Sequence, residues 1–98
     1  MSRINLSDEG FELVSDGGEC IASVVWLDLD RVEAHNDDLI SLEFVSGESE
    51  VVVTEEDLGF EDLAPQLIAN LDLENPDWFE AIMRPGQRIL VYDHELGY

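Results

Sequence analysis

The chain has 98 residues and carries 24 acidic side chains against four basic ones, which gives a formal net charge of −20. This charge argues against nucleic acid and anionic lipid as partners. Such binding is driven by basic side chains that neutralise phosphate groups and release their counterions, and an acidic surface repels those groups instead. Hydrophobic residues make up 45% of the chain, more than a disordered acidic tail contains. We therefore expect a single folded domain over residues 1–98. No apolar run approaches the length of about 20 residues that a membrane span needs.

The N-terminal residues and the cysteine content both predict a cytoplasmic protein. No apolar stretch of signal-peptide length occurs near the N terminus, where acidic residues follow almost at once. Cys20 is the only cysteine, so the chain cannot form an intramolecular disulfide. It precedes an apolar strand pattern and is expected to be an inert, partly buried thiol.

Alternating apolar residues and β-branched residues predict strands in the first half of the chain. The predicted strands cover residues 10–14, 19–25, 29–35, 39–45 and 50–54. In the clearest of them, Ile40, Leu42 and Phe44 fall on one face. The intervening turns are short, so successive strands are expected to be antiparallel neighbours. A bend is expected at residues 26–28.

The hydrophobic period changes to that of a helix after residue 59. The predicted apolar stripe consists of Phe60, Leu63, Leu67, Ile68 and Leu71. Pro65 is awkward within this helix, which either starts near Leu63 with Asp62 as its cap or begins with a loose turn. Asn75-Pro76-Asp77 is a stronger start signal, and it predicts a second helix from Pro76 to Met83. Residues 87–93 follow as a last strand or an extended tail.

This order of elements predicts an α+β fold with an antiparallel sheet of five or six strands, followed by two C-terminal helices that pack on it. Most of the aromatic side chains are expected in the core, and two tyrosines are expected at a contact surface. The predicted core aromatics are Trp26, Phe44, Phe60, Trp78 and Phe79. The predicted surface tyrosines are Tyr92 and Tyr98.

One motif favours an enzyme. An apolar strand followed by Asp28-Leu29-Asp30 resembles the first motif of haloacid-dehalogenase-type phosphatases. The resemblance implies Asp28 as nucleophile and Asp30 as general acid beside a magnesium ion. Those enzymes also need a lysine and a larger parallel α/β core, whereas this chain has no lysine. A metal-dependent, phosphatase-like enzyme is therefore the alternative prediction, and the leading one assigns no catalytic residue, metal or cofactor.

The acidic residues allow three interpretations, and the sequence leaves all three open. They solubilise the surface, they adapt the protein to high salt, or they dock a basic partner, as in small proteins that neutralise toxins or nucleases. The leading prediction is docking, by a non-enzymatic module of antitoxin or immunity type. The predicted partner-binding residues are Asp28, Asp30, Asp37, Asp38, Glu55, Glu56 and Asp57. A homodimer that pairs edge strands over residues 10–14 or 87–93 is a further prediction.

A longer pattern carries a family resemblance. It runs through Trp26-x-Asp28-x-x-x-Val32-x-Ala34, Asp38-x-Ile40-x-Leu42-x-Phe44, Val51-x-Val53-x-Glu55-Glu56 and Gly59-Phe60-x-x-Leu63. This pattern resembles a group of small, acidic, largely uncharacterised bacterial proteins, and it has no catalytic signature. The strand spacing is also similar to bacterial pleckstrin-homology-like domains, which implies a bent antiparallel sheet closed by a helix. Their lipid-binding members use basic residues between the first strands, and this chain has none there.

Overall fold

The fold is described from a computed structural model, which defines residues 2–94. Its elements in chain order are β1 (Arg3–Leu6), β2 (Gly10–Val14), β3 (Cys20–Val25), a short 3-10 helix (Trp26–Asp28), β4 (Arg31–Asp37), β5 (Leu39–Ser46), β6 (Ser49–Thr54), α1 (Phe60–Asn70), α2 (Trp78–Ala81) and β7 (Arg88–Asp93). All named strand pairs are antiparallel, so the predicted α+β class is confirmed. No helix within residues 2–94 is long and apolar enough to cross a membrane.

The strands form two sheets rather than the predicted single sheet of five or six strands. The first sheet has the order β1-β2-β3, and the second has the order β6-β5-β4-β7. The chain leaves the first sheet at the 3-10 helix, where Trp26 and Leu29 are both buried. Burial of these two side chains turns the backbone into the core, so β4 does not continue beside β3.

Strand β1 has no counterpart among the predictions. Its four residues contain one buried side chain, Ile4, too few to show an alternating pattern. Long-range backbone contacts hold it in place, because Ile4 N donates a hydrogen bond of 2.7 Å to the carbonyl oxygen of Leu58 and β2 pairs along its other edge. Strand β2 is therefore central in the first sheet, and the prediction that residues 10–14 form an exposed edge is wrong.

Strand β7 resolves the ambiguity over residues 87–93, because it pairs with β4 at the edge of the second sheet. Part of its outer edge is already occupied. The backbone amide of Glu74 donates to the carbonyl oxygen of Val91 at 2.9 Å, and the side-chain amide of Asn75 donates to that of Leu90 at 2.7 Å. Of the two alternatives predicted for residues 87–93, the strand is therefore the one observed, and the two helices lie between β6 and β7 in the chain.

The first helix buries a narrower stripe than predicted. Phe60, Leu63 and Leu67 are buried, whereas Ile68 is 55% exposed, because it lies about 100° around the helix from Leu67. Helix α1 begins at Phe60, ahead of Pro65, after Gly59 with a left-handed φ of 92°. Helix α2 has only four residues, fewer than the predicted span of 76–83.

Aromatic contacts join the two sheets into one core. The ring of Phe11 in β2 lies 4.9 Å from that of Phe44 in β5 and 5.9 Å from that of Trp26 at the bend. Of the five predicted core aromatics, Phe79 alone is only partly buried. Cys20 is exposed, contrary to the prediction of a partly buried thiol, because it lies at the start of an edge strand.

Candidate functional site

Five of the seven predicted acidic residues lie together at one end of the second sheet, which we call the acidic end. Asp37 is the last residue of β4, Asp38 connects it to β5, and Glu55, Glu56 and Asp57 follow β6. The two segments meet because the backbone amide of Glu55 donates a hydrogen bond of 2.9 Å to the carbonyl oxygen of Ile40.

Asp28 and Asp30 lie at the opposite end of the same sheet. The backbone amide of Asp30 donates to the carbonyl oxygen of Val45, near the end of β5, at 2.8 Å. Strand β5 has eight residues and so spans about 23 Å at the usual rise of a strand. The seven residues therefore form two separate acidic patches.

Three of the seven carboxylates have structural roles. Asp30 Oδ2 accepts a hydrogen bond of 2.6 Å from the amide of Gly47, which fixes the turn between β5 and β6. Glu55 Oε1 accepts from the amide of Ile40 at 3.2 Å, and Asp57 Oδ2 accepts from that of Thr54 at 2.9 Å. The remaining four are exposed, and within residues 2–94 no hydrogen bond to their carboxylates is found. These four are Asp28, Asp37, Asp38 and Glu56.

The first turn of α1 adds two carboxylates to the acidic end, those of Glu61 and Asp62. Residues 55–62 line an open cleft of about 420 Å³ at this position. None of the ion pairs found among residues 2–94 involves the carboxylates of this cleft. The acidic end is therefore a region of uncompensated negative charge.

The outer face of the second sheet uses much of the positive charge of the chain. Glu33 lies directly opposite Glu43 in the β4–β5 register. Arg88 Nη2 lies 2.9 Å from Glu33 Oε2, Arg31 Nε lies 3.6 Å from Glu33 Oε1, and His35 Nε2 lies 3.5 Å from Glu33 Oε2. Arg31 also lies 3.9 Å from Glu43 through its Nη2 atom. Two of the four arginines, Arg31 and Arg88, are thus paired with Glu33 and Glu43 in the middle of the sheet.

Sequence reasoning did not identify this cluster, although ionisable side chains alternate at positions 31, 33 and 35. The second half of the cluster comes from β5 and β7, so only the strand register reveals it. No three His, Cys, Asp or Glu side chains in the described part of the chain are arranged to hold a metal ion.

A second feature that sequence reasoning missed lies at the bend between the sheets. The side chain of Leu27 is 96% exposed, and Trp26, Leu27 and Asn70 together line two neighbouring clefts. We call these three residues the Leu27 saddle. The first cleft, of about 400 Å³, is bordered by Asp8 and Glu9. Asp72, Tyr92 and His94 border the second, of about 250 Å³.

The pKa of Tyr92 reflects the burial and the negative charge around the second cleft. Its pKa is raised above the ordinary value of 10.0, first by desolvation and then by the negative charges of Asp30, Asp72 and Asp93. The surroundings of the Leu27 saddle therefore disfavour additional negative charge. Tyr92 is half-buried, and Tyr98, the other predicted contact tyrosine, lies outside the described residues.

This raised pKa predicts how stability depends on alkaline pH. The contribution of Tyr92 to the free energy of unfolding is fully present below about pH 10 and is lost as the pH rises through the raised pKa, because the folded state holds the phenolic proton more tightly. We expect a Tyr98→Phe protein, titrated by ultraviolet difference absorbance, to show a tyrosine pKa above 10. In that protein Asp72→Asn should lower the pKa, and Asp77→Asn should leave it unchanged. An ordinary tyrosine pKa before any aspartate is replaced would contradict the prediction.

The two aspartates of the phosphatase-like motif occupy a different setting from that family. Asp28 belongs to the 3-10 helix and Asp30 follows it, and both come after a strand of an antiparallel sheet rather than after a strand of a parallel sheet. The carboxylate of Asp30 is already bound to the backbone of a neighbouring turn.

Comparisons with protein-family models, with curated proteins and with solved structures gave no significant match. The resemblances to small acidic bacterial proteins and to pleckstrin-homology-like domains therefore remain predictions.

Proposed function

We propose that this protein is a non-enzymatic interaction module of the cytoplasm that docks a basic protein partner through its acidic surface. The observation that supports the proposal is the distribution of charge. The mid-sheet carboxylates Glu33 and Glu43 have cations within 4 Å, whereas the ion pairs among residues 2–94 include none of the carboxylates that line the acidic end.

Exposed carboxylates without cations suit electrostatic recognition of a basic protein. They raise the rate of association and reject partners of like charge, and both effects weaken as salt screens the interaction. Small proteins of antitoxin or immunity type recognise basic targets by this principle. The single cysteine suits a reducing compartment.

The proposal differs from simple surface solvation and from salt adaptation in one respect. Solvation and salt adaptation depend on the total charge, whereas docking depends on which carboxylates carry it. Variants of equal net charge therefore separate the docking interpretation from the other two.

The first experiment compares two variants in capture of basic proteins from a lysate of the source organism. The site variant is Asp28→Asn, Asp37→Asn, Asp38→Asn and Glu56→Gln, which neutralises the four exposed carboxylates without a structural hydrogen bond. The control variant is Glu12→Gln, Glu19→Gln, Glu74→Gln and Glu80→Gln, at exposed positions away from both ends of the second sheet. Both variants carry the same net charge.

We expect the wild-type protein and the control to retain the same basic protein and to release it at similar salt concentrations. The site variant should release it at lower salt, with an affinity reduced about tenfold, because each lost rim charge contributes less than about 1 kcal/mol. Equal loss in both variants would show that only net charge matters. Either that result or a failure of the wild type to retain any basic protein would contradict the proposal.

A further inference from the structure

The exposure of Leu27 is imposed by the fold. Its neighbours Trp26 and Leu29 are 5% and 2% exposed, so both sides of the bend are anchored in the core. The amide of Trp26 donates to the carbonyl oxygen of Glu9 at 2.8 Å, and the amide of Leu29 closes the turn on the carbonyl oxygen of Trp26 at 3.3 Å. Leu27 is thereby presented to solvent on a fixed turn.

A single exposed leucine is ordinary on a protein surface. The surroundings of Leu27 are less ordinary, because a cleft lies on each side of it and Val25, which is 40% exposed, extends the apolar surface of the first cleft. Carboxylates border this apolar centre, with Asp8 and Glu9 on the first cleft and Asp72 on the second. An apolar centre with a polar rim is the usual anatomy of a protein interface.

We propose that the Leu27 saddle anchors an extended basic segment of the partner, with one apolar side chain packed on Leu27 and Val25 and flanking lysine or arginine side chains placed against Asp8, Glu9 and Asp72. This inference rests on the proposed function and specifies its point of contact. Charge complementarity selects the occupant, since a second copy of the chain would bring a net charge of −20 against the same carboxylates.

The acidic end is less suited to anchor such a segment. Its exposed leucine, Leu58, is 56% exposed and is bridged through its backbone to β1 at Arg3. The backbone of Leu58 is already bonded to β1 and the residue before it, because its amide donates to the carbonyl oxygen of Ser2 at 2.9 Å and its carbonyl oxygen accepts from the amide of Ile4 at 2.7 Å. An extended segment of a partner therefore cannot pair with the backbone there. The acidic end would then attract the partner at long range, while the saddle would hold it.

The test uses two synthetic peptides of equal charge and length, measured by fluorescence anisotropy against the full chain. One peptide alternates lysine with leucine, and the other alternates lysine with serine. The protein variants are Leu27→Ser at the saddle, Leu58→Ser at the acidic end and Ile68→Ser on the exposed face of α1. All three positions are exposed, so each variant should fold normally, which thermal melts check.

We expect the wild type to bind the leucine peptide about tenfold more tightly than the serine peptide at about 0.15 M salt, as burial of one leucine side chain would give. Leu27→Ser should bring the ratio of the two affinities close to one, while Leu58→Ser and Ile68→Ser should preserve it. Binding of the serine peptide should be the same in all four proteins, because their charge is unchanged.

Other results would overturn the inference and locate the error. If Leu58→Ser rather than Leu27→Ser removes the preference, the anchor lies at the acidic end, and the docking function stands without the saddle. If the wild type dimerises and Leu27→Ser dissociates the dimer, the occupant is a second copy. If neither peptide binds even at low salt, the proposed docking function fails together with the inference.

Discussion

Replacement of Phe44 by alanine is expected to lower the free energy of unfolding by about 3–5 kcal/mol. Phe44 is 1% exposed, and its ring contacts that of Phe11 edge-on at a centroid distance of 4.9 Å. The substitution leaves a cavity between the two sheets, where little else can collapse to fill it. Urea denaturation followed by circular dichroism would measure the loss.

Val52→Ala is the matched control for this prediction. Val52 belongs to β6 of the same sheet and is opposite Glu43 in the register, but its side chain is 47% exposed. The control should lose less than about 1 kcal/mol. A comparable loss in both variants would mean that Phe44 does not join the two sheets as described.

Replacement of Gly10 by alanine should cost about 3 kcal/mol or more, because the added methyl group meets rigid backbone. Gly10 faces Val25 in the β2–β3 register, and a Cβ atom built on it would collide with the carbonyl oxygen of Val24. A carbonyl group within a sheet cannot swing aside like a flexible side chain. The two strands would have to separate at the bend that presents Leu27.

Gly17→Ala provides the control, since the nearest atom to its added methyl group is the Ser15 hydroxyl oxygen, 3.9 Å away. This change should leave stability unchanged or raise it slightly, through the reduced freedom of the unfolded chain. Thermal unfolding of both proteins tests the comparison. If Gly10→Ala were as stable as Gly17→Ala, the close approach of β2 to β3 would be wrong.

The sequence predicted the local elements well where a pattern repeats within a few residues. The strand over 39–45 was predicted because Ile40, Leu42 and Phe44 alternate with polar residues, and all three are buried. The stripe of α1 was predicted for the same reason through Phe60, Leu63 and Leu67. Strand β1 was missed because its position depends on contacts with Leu58 and β2, which local pattern does not encode.

The sequence predicted which acidic residues belong to the candidate site but not how they are arranged in space. The sequence identified Asp28, Asp30 and the acids near residues 37 and 55, yet it could not show that they occupy opposite ends of one sheet. Nor could it show that Asp30, Glu55 and Asp57 bind backbone amides. Such partners lie up to 17 residues away along the chain, so folding alone brings them together.

Composition and local periodicity by themselves determined the charge, the α+β class, the antiparallel hairpins over residues 10–25 and 31–54 and most element boundaries. Each of these depends on composition or on residues close in sequence. The tertiary structure alone decided the division into two sheets, the pairing of arginines with Glu33 and Glu43, and the exposure of Leu27. The physical reason is that burial is a property of the whole core. Trp26 and Leu29 turn inward against both sheets, and the leucine between them is left facing solvent.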